Sequence, residues 1–92
     1  VTRYLHVQTD DDGHASVTLR TITELAHVAS CAYAEGRPVG EVYLVDGAGV
    51  TELELVQAGD VGNADGFPTH GSAELRVRGT STVMDRLLYA YC

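Results

Sequence analysis

Apolar and polar residues alternate one by one along most of the chain, and that pattern gives way most clearly to a helical spacing at residues 21–36, TITELAHVASCAYAEG. At about 100° per residue, Ile22, Leu25, Ala26, Ala29, Ala32 and Tyr33 fall within an arc of about 120°, the signature of a helix with one buried stripe. Thr21 and Glu24 have the S/T-x-x-E spacing of a capping box, in which each satisfies a backbone N–H of the other. Gly36 tolerates the left-handed conformation that ends a helix, and Pro38 stops it from continuing. Three of the six stripe residues are Ala, so the helix is expected to lie close against a sheet. Glu24, His27, Cys31 and Glu35 fall on the other side.

The alternating stretches predict strands. In residues 3–9, Leu5 and Val7 point one way and Tyr4, His6 and Gln8 the other. Residues 14–20 place Ala15, Val17 and Leu19 inward. Asp10 to Gly13 supply the turn between them, so the two read as a hairpin. Residues 41–45 and 50–58 form a second hairpin around Asp46-Gly47-Ala48-Gly49. Here Leu53 and Leu55 face in, and Glu52 and Glu54 face out. Residues 59–71, with four Gly and one Pro, read as a loop of about thirteen residues, long for a compact domain. Residues 72–78 are a fifth strand. Its outward Arg76 and Arg78 complement Glu52 and Glu54, which suggests that the fourth and fifth strands are antiparallel neighbours. Val83, Met84, Leu87, Leu88 and Tyr91 have helical spacing behind Thr82 and Asp85, so residues 82–92 are expected to be a second helix, with a strand over RLLYAY as the alternative.

The expected fold is therefore α+β: a two-layer sandwich of a five-stranded antiparallel sheet with two helices on one face, in the order ββαβββα. The other face would carry Tyr4, His6, Glu52, Glu54, Arg76 and Arg78. Ninety-two residues suffice for a single domain.

Composition narrows the function classes. The net charge is −7, from thirteen acidic and six basic residues. That balance argues against direct nucleic-acid binding, which needs Lys and Arg against phosphates, and it fits a basic protein partner. All the basic residues are Arg, a usage that points to a GC-rich bacterium or its phage. No apolar run is long enough for a membrane span, and the first residues lack the apolar core of a signal peptide, which gives a cytoplasmic reading. Cys31 and Cys92 are too few for a disulfide scaffold.

Three clusters carry candidate chemistry. Asp10, Asp11 and Asp12 with His14 offer oxygen ligands to a hard cation, although Asp and Gly are equally what a solvated turn uses. His27 and Cys31, four apart on one helix face, can present two ligands to zinc, with His14, His70 or a second subunit supplying the rest; the same pair can make a reactive thiolate. In residues 59–71, Phe67 would anchor a protein partner, with Asp60, Asp65 and His70 as a polar rim. That stretch has no Lys or Ser/Thr in the phosphate-loop positions, and no G-x-S-x-G, H-E-x-x-H or paired C-x-x-C occurs anywhere.

The leading expectation is a small acidic, non-enzymatic interaction protein (an inhibitor, immunity or accessory factor) that binds another protein through the 59–71 loop or a sheet face and needs no cofactor. One alternative is a small metal-binding protein or enzyme with a site at a subunit interface. Another is a structural homo-oligomer that meets through Val28, Val45 and Val56.

Overall fold

The computed structural model describes residues 2–62 and 68–90. Six strands and one helix follow in the order β1 (Tyr4–Thr9), β2 (Ala15–Arg20), α1 (Ile22–Glu35), β3 (Glu41–Asp46), β4 (Gly49–Gly62), β5 (Pro68–Val77) and β6 (Val83–Ala90). The strands make one antiparallel sheet, β2-β1-β3-β4-β5-β6. The class is α+β, but the expected five strands and two helices are corrected to six strands and a single helix among the described residues.

The helix forms as its caps dictate. Thr21 Oγ1 accepts from the Glu24 N–H at 3.3 Å, and Glu24 Oε1 accepts from the Thr21 N–H at 3.1 Å. Gly36 closes the other end in the left-handed region, at φ 68°. Leu25, Ala26, Ala29, Ser30 and Ala32 are buried. The small side chains bring the helix against β6, where Ser30 Oγ donates to the Ala90 carbonyl at 2.6 Å.

Residues 82–92 are the clearest reversal. Instead of a helix, Val83–Ala90 is the sixth strand, and it pairs with β5 from His70↔Ala90 to Arg76↔Val83. A helical stripe would bury Met84 and Leu88; both are exposed, while Leu87 and Tyr89 are buried. Pairing gives β5 a second hydrogen-bonded neighbour and extends the core sheet by one strand, a gain that local spacing does not register. Tyr91 and Cys92 lie outside the described residues.

The expected 59–71 loop is likewise corrected at both ends: residues 59–62 and 68–71 are strand, and residues 63–67 lie outside the described residues. Gly59, Asp60 and Val61 pair with Ser72, Gly71 and His70, and Gly62 with Pro68, so β4 and β5 run on as a long hairpin. Register shifts near Ala58 and Gly62 absorb the irregular spacing that made the stretch look like a loop.

The third correction concerns which way the first strands face. β1 and β2 pair as expected, Leu5↔Leu19 and Val7↔Val17, but these residues lie on the open face. Tyr4 and His6 lie on the face that packs the core, with Val42, Leu53, Ala73, Leu75, Leu87 and Tyr89. Tyr4 Oη donates to Asp85 Oδ2 on β6, at 3.1 Å. Four strand-to-strand steps separate β1 from β6, about 19 Å in a flat sheet, so this bond requires a strongly curled one. Burial, with the Asp85 carboxylate adding to it, pushes the Tyr4 phenol up to about 12.

Where β5 passes Tyr89, Gly71 leaves room for the ring: a Cβ at 71 would stand 2.4 Å from its edge. The ring is fixed by the Gln57 amide, which donates to its hydroxyl at 3.0 Å, and by Tyr33, tilted against it at 5.6 Å. Gly71→Ala should therefore cost about 1–3 kcal/mol by overpacking. Urea unfolding checks it; an unchanged midpoint would mean that Tyr89 swings aside freely.

Candidate functional site

The expected site residues sit in three separate places. His27 and Cys31 lie on the outer side of α1, with His27 Nε2 3.9 Å from Cys31 Sγ. Among the described residues no third His, Cys, Asp or Glu joins them as a ligand. Asp10, Asp12 and His14 do converge, with ligand atoms all within 4.8 Å of one another, but all three are exposed. Asp10 Oδ1 already accepts from the N–H groups of Asp12 (3.0 Å) and His14 (2.8 Å), the bonding of a side chain that shapes its own turn. In the β4–β5 hairpin, Asp60 stands opposite Gly71 and Val61 opposite His70, so alternation sends Asp60 and His70 to opposite faces. Asp65 and Phe67 lie outside the described residues.

The sheet itself presents a surface that the sequence reading placed in the core. Its helix-free face divides in two. On the β2-β1-β3 side it is mainly apolar, with Glu41 opposite Val7 as its charged member: Val17 and Leu19 are 62% and 58% exposed, and Leu5 and Val7 lie half-buried beside them. Tyr43 continues the row from Leu5, its hydroxyl donating to Glu41; Val45 and the neighbouring Val50 on β4 are also exposed. On the β4-β5-β6 side the same face is charged. Arg78 pairs with Glu52 at 3.5 Å, as the outward charges anticipated. Arg76 stands opposite Glu54, but its guanidinium is held by Glu74 at 2.6 Å, and Glu74 also takes Arg86 at 3.2 Å. Those two arginines hold the Glu74 carboxyl below the usual range.

Behind the apolar half, the core face is organised around a buried histidine. His6 is fully buried, with Nε2 2.6 Å from the Val39 carbonyl and Nδ1 accepting from Arg20 Nε at 2.9 Å. Arg20 also donates to Gln8 Oε1 at 3.4 Å. Since Nδ1 accepts, the proton sits on Nε2, and the ring is neutral. Burial lowers its pKa; the Val39 carbonyl opposes that, and the Arg20 charge reinforces it.

Among the cavities, the groove lined by Val7, Gln8, Thr9, Arg37, Pro38, Val39, Gly40 and Glu41 has a volume of about 230 Å³, and the adjoining one, against Tyr33, Leu53, Leu55 and Arg78, about 420 Å³, at the lower end of the range of small-molecule sites. The titratable groups that line the two are Arg37 and Glu41, which they share, and Tyr33, Glu54 and Arg78. Among the described residues, no helix is long and apolar enough to cross a membrane. Comparison with protein-family models, curated proteins and solved structures finds no match.

Proposed function

We propose that the protein is a small acidic interaction module, acting as an inhibitor, immunity or accessory factor, that docks another protein on the apolar half of its open sheet face. The observation that carries this reading is the side-by-side exposure of Val17, Leu19, Val45 and Val50, with Leu5, Val7 and Tyr43 between them, on one rigid face. Large contiguous apolar patches on soluble domains mark contact surfaces. The charged half beside it, and the net charge of −7, favour a partner with a basic rim around an apolar centre.

Charge substitution tests this. Val45→Lys, at a half-exposed position, should leave thermal stability nearly unchanged, within about 0.5 kcal/mol. It should weaken binding of a partner captured from the native host, then purified and titrated, by about 2 kcal/mol or more. Leu88→Lys, equally exposed but on the charged side, should leave affinity alone. Equal loss in both variants, or in neither, would rule out the apolar half as the docking surface.

A further inference from the structure

We infer that β2 is the pairing edge for a second copy of this chain, joining two sheets into one across a two-fold axis. This concerns the backbone edge of the sheet and goes beyond docking on its face. The two ends of the sheet are protected very differently. β6 carries Asp85 and Arg86, has an irregular register at Arg76↔Val83, and lies under α1, where Ser30 bonds Ala90. Charges, bulges and covering helices are how edges avoid pairing. β2 has none of these before its last residue, Arg20: from Ala15 to Leu19 it has no charge and no Pro, its register against β1 is unbroken, and every one of these residues is exposed. Among the described residues no strand covers its outer side.

The ladder fixes which groups are on offer. The Asp10 N–H donates to the His14 carbonyl at 2.9 Å, which makes 10 and 14 a hydrogen-bonded pair. Alternation along the antiparallel register then bonds residues 16, 18 and 20 to β1. The N–H and C=O groups of Ala15, Val17 and Leu19 point outward. An antiparallel partner that uses all three sets Val17 against Val17 of the second copy and Ala15 against its Leu19. That register forms about six backbone hydrogen bonds, two per pair. It also makes the contact isologous, the arrangement of most dimers.

Charge selects the second copy as the occupant. The β1–β2 turn bears Asp10, Asp11 and Asp12; the opposite end of the hairpin bears Arg3 and Arg20. Antiparallel pairing lays each turn beside the arginine end of the other copy, so acidic meets basic at both ends of the contact. Glu24, also at the arginine end, has its carboxylate held at Thr21 by the capping box. Val17 and Leu19 of the two copies then meet on the open face, which stays uncovered and doubles its apolar half.

The test exploits the self-contact at residue 17. Light scattering on the wild-type chain over a rising concentration series should show the mass doubling. Val17→Lys and Val17→Glu each place like charges opposite each other and should both be monomers with an unchanged circular dichroism spectrum; Val17 is exposed, so neither disturbs the core. An equimolar mixture of the two should restore the dimer, a result that only pairing of 17 with 17 predicts. Val17→Pro, which removes an outward N–H without touching the β1 ladder, is the second way to a folded monomer. A wild-type chain that stays monomeric at every concentration, a dimer that survives all three changes, or a mixture that stays monomeric would overturn the inference. Val45→Lys should leave the dimer intact. A monomeric wild type that still loses its protein partner through Val45→Lys would overturn edge pairing and leave face docking standing.

Discussion

Replacing Leu25 by Ala should lower the unfolding free energy by about 2–5 kcal/mol, through lost transfer energy and the cavity left behind. Leu25 is fully buried on the inner side of α1, in the cluster that includes Val42, Leu53 and Leu75. The neighbouring inner residues Ala26, Ala29 and Ala32 are too small to refill the space. At about 0.05–0.15 kcal/mol per residue the whole chain is worth roughly 5–14 kcal/mol, so the change removes a large share of it. Leu25→Met, nearly conserving volume, should cost less than about 1.5 kcal/mol. His27→Ala, two residues on but exposed, should fall within about 0.5 kcal/mol. Urea unfolding of the three variants checks this; equal losses at 25 and 27 would turn the helix over.

That prediction rests on the part of the fold most legible in the sequence. Thr21, Glu24, Gly36 and Pro38 act on the backbone within a turn of themselves, so their consequences can be read locally, and the capping box and left-handed cap are both present. Cross-strand neighbours were legible for the same reason: short turns at Asp10–Gly13 and Asp46–Gly49 set the registers of β1–β2 and β3–β4. Leu5 does meet Leu19, and Glu52 does meet Arg78.

What local pattern did not carry was the choice between two faces that are both partly apolar. In β1 the alternation is real, but Leu5 and Val7 compete with Tyr4 and His6 for the core. The contest is settled by partners far along the chain, Asp85 for Tyr4 and Val39 for His6. Reversing the phase of a strand moves its whole side-chain set to the other face. The apolar surface was therefore visible residue by residue and assigned to the core. The signal available was that Tyr4 offers a larger area to bury than Leu5, and that its hydroxyl can be satisfied at the same time. The sixth strand was hidden for a related reason. Leu87 and Tyr89 alternate with Arg86 and Leu88, but helical spacing fits the same residues, and only the open edge of β5 decides between them.

His6→Ala should cost about 3–5 kcal/mol and also remove part of the protein's sensitivity to acid. The ring joins two groups: the Val39 carbonyl, bonded by Nε2, and the Arg20 guanidinium, whose Nε bonds Nδ1 while its other end reaches Gln8. Truncation leaves a buried carbonyl unpaired, at about 1–3 kcal/mol, and breaks a hydrogen bond from a charged group, worth about 1.5–3 kcal/mol. His6→Gln, which retains a donor and an acceptor, should recover part of the loss. The acid effect follows from the direction of the pKa shift. Burial lowers His6 below its ordinary 6.5, so between 6.5 and the folded value the unfolded chain binds more protons than the folded one. Stability from this residue is complete above 6.5 and is lost as pH falls through the folded value. The carboxyls of Glu24 and Glu74 are also lowered, Glu24 chiefly by the Thr21 N–H and Glu74 by its arginines, but they act in a separate window below 4.5. Unfolding free energies measured from pH 8 to pH 5 should therefore fall with acid in the wild type more steeply than in His6→Ala. Parallel curves for the two proteins would show that His6 protonates as readily in the folded chain as in the unfolded one.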